Sequence, residues 1–249
     1  MNRLVRTDIP HKVYKHSILV RASVTLEYDA IKDVEQDALV RFLSVHFGLG
    51  PKDKEEFLSQ GLTMRAIDGD VEILLKSSSF QVIIGGANYI SFKDSLQELA
   101  SAGSAFLTEV GKMNTINSVE IRKVDALKVK DDEAGKKISL KDLIEDFFSD
   151  ALLDEGPLKT NLIDESNVGM LKEFSPQSEE ENISLKIRYG YQNDDDSEWN
   201  MSMVFDSFAK YQKRFLLSDV DAIYDKLNKQ LFGLFHGCIS ERVIKMLDE

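Results

Sequence analysis

A lysine and an aspartate two residues apart, inside an otherwise apolar strand pattern, are the residues best placed to do chemistry in this chain. In the run Val119-Glu120-Ile121-Arg122-Lys123-Val124-Asp125-Ala126-Leu127-Lys128-Val129, alternation puts Val119, Ile121, Leu127 and Val129 on one side, because successive strand side chains point to opposite faces. Lys123 and Asp125 fall on that same side. A charge withdrawn from water needs an opposite charge, a hydrogen-bonding partner or a ligand. Two readings follow. Either the pair, with Arg122 beside it, marks a polar spot in a pocket for a small anion or nucleotide, or a bulge turns both charges out to solvent.

Other chemistry is sparse. The sequence has no Gly-x-x-x-x-Gly-Lys-Ser/Thr phosphate loop, no His-Glu-x-x-His, no Gly-x-Ser-x-Gly and no Cys-x-x-Cys. Gly85-Gly86 lies inside an apolar strand pattern, without the glycine and helix that a dinucleotide site requires. The histidines are His11, His16, His46 and His236, and the single cysteine is Cys238. On a helix, His236 and Cys238 would diverge by about 200°, so they cannot share a metal ion. His236 reads instead as a hydrogen-bonded helix residue. The acidic runs Asp194-Asp195-Asp196 and Glu179-Glu180-Glu181 lack calcium-loop spacing and read as solvated turns. No cofactor, metal or catalytic residue is therefore expected.

The elements that must position Lys123 and Asp125 follow from periodicity. Val20, Ala22, Val24, Leu26 and Tyr28 alternate with polar residues as a half-buried strand. A helical pattern covers Val34–Phe47, and Asp68-Gly69 between apolar runs signals a hairpin. A strand at Phe80–Ile90 leads to a helix from Phe92 to Met113. The order then recurs: a strand at Ser118–Lys130, a helix opening at Ser139, strands at Val168–Phe174, Ile183–Gln192 and Trp199–Phe208, and a last helix from Ser218. Each half reads strand, helix, three strands, helix. The expected fold is α+β, with two pseudo-repeated units, residues 1–114 and 115–249, antiparallel sheets and a long C-terminal helix. One continuous domain is the alternative.

Ser218 caps that last helix, and Ile223, Leu227, Leu231, Leu234 and Cys238 make its apolar stripe. Unbroken to Asp248 it would span about 46 Å. Gly233 and Gly237 lie four apart, and glycine costs about 1 kcal/mol in a helix interior. Their face suits close approach of the same helix in a dimer mate, a tight crossing over the chain's own sheet, or a kink that divides the helix.

Composition narrows the setting. Formal net charge is −12. Residues 1–125 carry 15 Lys+Arg against 17 Asp+Glu, and residues 126–249 carry 16 against 26, so the two stretches stand at −2 and −10. Such a chain repels a phosphate backbone. Nucleic acid is unexpected except at the basic start, where Arg3, Arg6, Lys12, Lys15 and Arg21 face only Asp8. No apolar run is long enough for a membrane span, and neither a signal-peptide pattern nor a possible internal disulfide asks for an oxidising compartment. A cytoplasmic location is expected.

Three short segments carry a resemblance. Ile121-Arg122-Lys123-Val124-Asp125-Ala126-Leu127 resembles a "Leu-Arg-Tyr-Ile-Asn-x-Ile" strand, Met203-Val204-Phe205-Asp206 a "Leu-Asp-Ile-Asp" strand, and Leu227 to Leu247, with Leu234 and His236, a closing "Leu-x-x-Leu-His" helix. In that order they resemble a sporadically distributed prokaryotic family of similar length and uncharacterised function. The resemblance singles out Arg122, Asp125, Asp206 and His236. Lys123 stands where the family has tyrosine and Phe235 where it has leucine. A patchy distribution implies mobile genes of the kind found in defence or conflict loci. The expectation is a non-enzymatic interaction subunit or accessory factor of a defence or toxin-immunity system, meeting a protein partner or a second copy. The alternative is a small-anion or nucleotide sensor, or an enzyme, built around Lys123 and Asp125.

Overall fold

Among the described residues, alternating patterns become strands and helical patterns become helices. The structure is a computed structural model that describes residues 9, 14, 17–31, 36–47, 64–68, 71–86, 89–130, 146–150, 169–174, 181–193 and 199–249. Its strands are β1 (Leu19–Glu27), β2 (Met64–Asp68), β3 (Val71–Leu75), β4 (Ser79–Gly85), β5 (Thr115–Ile116), β6 (Ser118–Lys130), β7 (Gly169–Phe174), β8 (Glu181–Asn193), β9 (Trp199–Tyr211) and β10 (Phe215–Leu216). The helices are α1 (Gln36–Phe47), α2 (Glu98–Glu109), α3 (Val220–Cys238) and α4 (Glu241–Asp248). A wider π turn, Phe92–Gln97, leads into α2, and a 3-10 turn, Leu217–Asp219, leads into α3. The fold class is α+β. Among the described residues, no helix is long and apolar enough to cross a membrane. The helix expected from Ser139 lies mostly outside the described residues.

The chain forms two compact units. One comprises Arg21–Arg122 with Lys210–Leu227, the other Met1–Val20, Lys123–Ala209 and Asn228–Glu249.

In the first unit the strands run β2-β3-β4-β1. Asp68 pairs with Val71, the hairpin expected from Asp68-Gly69. Val82 faces Val24 on one side and Ile73 on the other, and Phe80 likewise faces Leu26 and Leu75. All six are buried, so one sheet face is continuous apolar surface. The strand expected to reach Ile90 stops at Gly85 because the backbone turns, with Tyr89 N donating to Gly86 O at 3.2 Å. Ser91 then caps the π turn, its hydroxyl accepting from Asp94 N. Phe106 of α2 fills the core, with ring centroids 5.3 Å from Phe42, 6.3 Å from Phe80 and 6.4 Å from Tyr28.

Gly103 lets α2 lie close to this sheet. A Cβ there would sit 2.7 Å from Phe80 Cδ1 and 2.8 Å from Leu26 Cδ1. Overpacking costs about 1–3 kcal/mol, while alanine regains about 1 kcal/mol of helix propensity. The clash wins because the phenyl ring is hemmed in on both sides of its strand. Gly103→Ala should therefore lower stability by about 1 kcal/mol in urea unfolding, and Gly103→Leu by several times as much.

The far end of β1 is tied by charges. Asp29 accepts from Asn117 Nδ2 and Arg214 Nη2, both at 2.9 Å. Glu27 accepts from Ser118 Oγ and, at 3.0 Å, from Lys210 Nζ. Hydrogen bonds from Ser118 and Lys210 hold the Glu27 carboxyl below its ordinary range, and the Asn117 bond followed by the Arg214 charge does the same for Asp29.

The second unit follows the same path, with strands in the order β6-β9-β8-β7. In both units the opening strand lies beside the last of the three that follow, and those three are neighbours in turn. Met203, Phe205, Ser207 and Ala209 of β9 are buried and alternate with half-buried Val204, Asp206, Phe208 and Lys210. The part of α3 in this unit is buried nearly all round, with only Lys229 exposed. Its Phe235 meets Phe205 of the sheet at 5.6 Å between centroids, and its Phe232 and His236 stack on Tyr14 at 6.3 and 5.9 Å.

The last helix is divided rather than running unbroken to Asp248. Residues 147–149 pair with 238–240 in place of the helical ladder. Ser149 N donates to Cys238 O and Ser240 N to Phe147 O, both at 2.9 Å, with Phe148 bridged to Ile239. Ser149 Oγ also donates to Gly237 O. Ser240 then caps α4 and donates its hydroxyl to Asp146 O at 2.6 Å. Arg242 pairs with Asp146 and lies 5.8 Å above the Phe147 ring.

Candidate functional site

β6 runs without interruption through Lys123 and Asp125, and α3 lies over the face that carries them. Lys123 Nζ donates to Asn228 Oδ1 of α3 at 2.7 Å. Ser207 of β9 reaches the same strand, its Oγ donating to Lys123 O at 3.4 Å. A second polar contact crosses between sheet and helix close by in sequence: Gln230 Nε2 donates to Glu181 Oε2 at 2.7 Å, with both residues buried. Glu181 is thus not part of a solvated turn, as the run Glu179-Glu180-Glu181 had suggested. The strand β8 starts at Glu181 and carries it beneath the helix, where the Gln230 amide replaces water.

Burial dominates the electrostatics. It lowers the Lys123 ammonium to a pKa of about 8, with the Asp125 charge opposing. It raises the Asp125 carboxyl to about 6, with Lys123 opposing. Both side chains nevertheless keep some contact with solvent. Near neutral pH the pair is a cation and an anion two residues apart on one strand face, each with its charged form weakened.

The other residues singled out by sequence are dispersed. Arg122 is exposed and, as the neighbour of Lys123 on a strand, points to the opposite side of β6. Asp206 is half-buried and points away from the face that Ser207 shares with Phe205. His236 is buried two turns of α3 beyond Asn228, about 12 Å along the axis. Its Nε2 shares a hydrogen bond with Tyr14 Oη, whose own pKa is raised by burial and then by the charges of Asp248 and Glu241. Gly233 and Gly237 are buried along α3. Sequence reasoning missed Asn228, Gln230, Ser207 and Tyr14. The only local signal for the first two is two amides flanking an exposed lysine in an otherwise apolar helical stretch.

Among the described residues, no group of three or more His, Cys, Asp or Glu side chains is placed to hold a metal ion. No family model matches the chain, and no curated protein matches it.

Proposed function

We propose that the chain is a non-enzymatic interaction subunit or accessory factor that offers one sheet face of its second unit to a protein partner. The observation that supports this is the face turned away from α3. There Val124 and Ala126 of β6 stand with Val204, Asp206 and Phe208 of β9, all half-buried, on strands that are neighbours in the sheet. Partly exposed apolar side chains grouped on a sheet, around a carboxylate, suit a protein interface.

Charge points to a basic partner. Residues 126–249 carry a net −10, which speeds encounter with a cationic surface and weakens as salt screens it. What supports a defence or toxin-immunity setting for such a partner is the resemblance to a sporadically distributed prokaryotic family.

Native-level affinity purification with assembly mass tests the reading. A stoichiometric basic protein, retained at low salt and lost from a Val204→Lys/Phe208→Glu variant of unchanged melting temperature, is the expected result. A clean monomer, or a partner indifferent to both substitutions, would overturn it.

A further inference from the structure

The two units follow the same path, so the sheet side turned away from the helix can be compared position by position. In the first unit β1 and β4 carry Ser23, Thr25, Gln81 and Ile83 there, opposite in direction to Val24 and Val82. Gln81 Nε2 donates to Thr25 Oγ1 at 3.0 Å. On the same side Arg21 and Glu72 form an ion pair at 3.8 Å. Arg21 lies opposite Gly85 and Glu72 opposite Ile83, so the pair reaches across β4. Ile83 is buried beside it. This side is finished largely in polar groups that serve one another.

In the second unit the corresponding strands are β6 and β9. They carry Val124 and Ala126, and Val204, Asp206 and Phe208, all half-buried. One carboxylate thus stands among four apolar side chains, where the first unit has one isoleucine among polar ones. The path itself does not require apolar residues here, because the first unit takes it without them. A sheet side that meets only water is ordinarily polar, and grouped apolar residues on a surface mark a place of contact.

Building on the partner reading above, we infer that the occupant of this face is one amphipathic helix of the basic partner, its apolar stripe flanked by lysine or arginine and laid along β6 and β9. In the sheet β9 has β6 on one side and β8 on the other, so a partner's strand has no open edge of β9 to extend. The five residues lie on two adjacent strands, a strip about 10 Å across, which matches the diameter of a single helix, about 10–12 Å. Val204 to Phe208 cover about 13 Å along β9, so helix residues at i, i+3 or i+4, and i+7 reach all of it. Charge decides against a second copy, since residues 126–249 would bring a net −10 against another −10.

The test places the photocrosslinking residue p-benzoylphenylalanine at Val124, Val204 or Phe208 of the full chain, one position at a time, and at Thr25 and Gln81 as controls. After irradiation in cells the joined peptides are sequenced. The three test positions should attach to one segment of one basic protein, at residues three, four or seven apart. Yield on purified complex should fall about tenfold from low to high salt, and the controls should attach to that protein not at all. In the wild-type complex, which needs no substitution, amide exchange of the same segment should slow by at least about tenfold. Attachments two residues apart, attachments scattered over several segments, attachment to a second copy or to this chain itself, or none while a partner still co-purifies, would each overturn the helix and leave the partner reading standing. A chain that purifies without any partner overturns both.

Discussion

Lys123→Met with Asp125 left in place should destabilise the protein by about 2–3 kcal/mol at pH 7, since it strands a half-buried carboxylate. The loss is smaller than for a sealed pair because Asp125 can take up a proton. Lys123→Met/Asp125→Leu should be at least as stable as the wild type, because a core of the first unit's kind needs no charges there. A double-mutant cycle in urea gives the coupling directly.

The same pair predicts a pH signature. The folded pKa of Asp125, about 6, lies above its ordinary 3.8. Between those values the native state holds more protons than the unfolded chain, so stability falls as pH rises through that window. The folded pKa of Lys123, about 8, lies below its ordinary 10.5. There the unfolded chain binds more protons, and stability rises from about pH 8 upward. The wild type minus the double variant should therefore show a trough between about pH 6 and 8, where both charges are present. A flat difference across pH 4 to 10 would mean that the two groups sit in water.

Phe106→Ala should have the largest effect of any single substitution in the first unit, about 3–5 kcal/mol. That is a large share of the 5–15 kcal/mol that holds a typical domain folded. Phe106 is 1% exposed and touches three aromatic rings, Phe42 of α1, Phe80 of β4 and Tyr28 just after β1, so its loss leaves a void bounded by stiff groups that cannot collapse inward. Equilibrium urea unfolding measures the loss, and hydrogen exchange should quicken in β4 and α2 ahead of the second unit. Val45→Ala on α1 is the control. With Val45 71% exposed, its truncation should change stability by less than about 0.5 kcal/mol.

Local pattern carried much of the architecture. Alternation over Ala22–Leu26 and over Met203–Ala209 is a property of neighbouring residues, and a strand with one covered face is its direct outcome. The same holds for the Asp68-Gly69 hairpin, the apolar stripe of α3 and the recurrence of an opening strand, three later strands and a helix. These depend on separations of a few residues, which one stretch of sequence contains in full.

Tertiary structure alone decided who meets whom. Lys123 finds Asn228, 105 residues away, and His236 finds Tyr14 across 222. Neither partner has a distinctive local pattern, because an amide or a phenol serves equally well at the surface. Glu181 reads as solvated within its acidic run, yet docking of α3 onto β8 buries it against Gln230. The terminal helix is helical by pattern as far as Asp248, and its break at Ile239–Ser240 arises from residues 147–149 competing for the backbone groups that helix continuation would use. A hydrogen-bonding group bonds to whatever the fold brings nearest, and that choice is made by the packing of elements far apart in the chain.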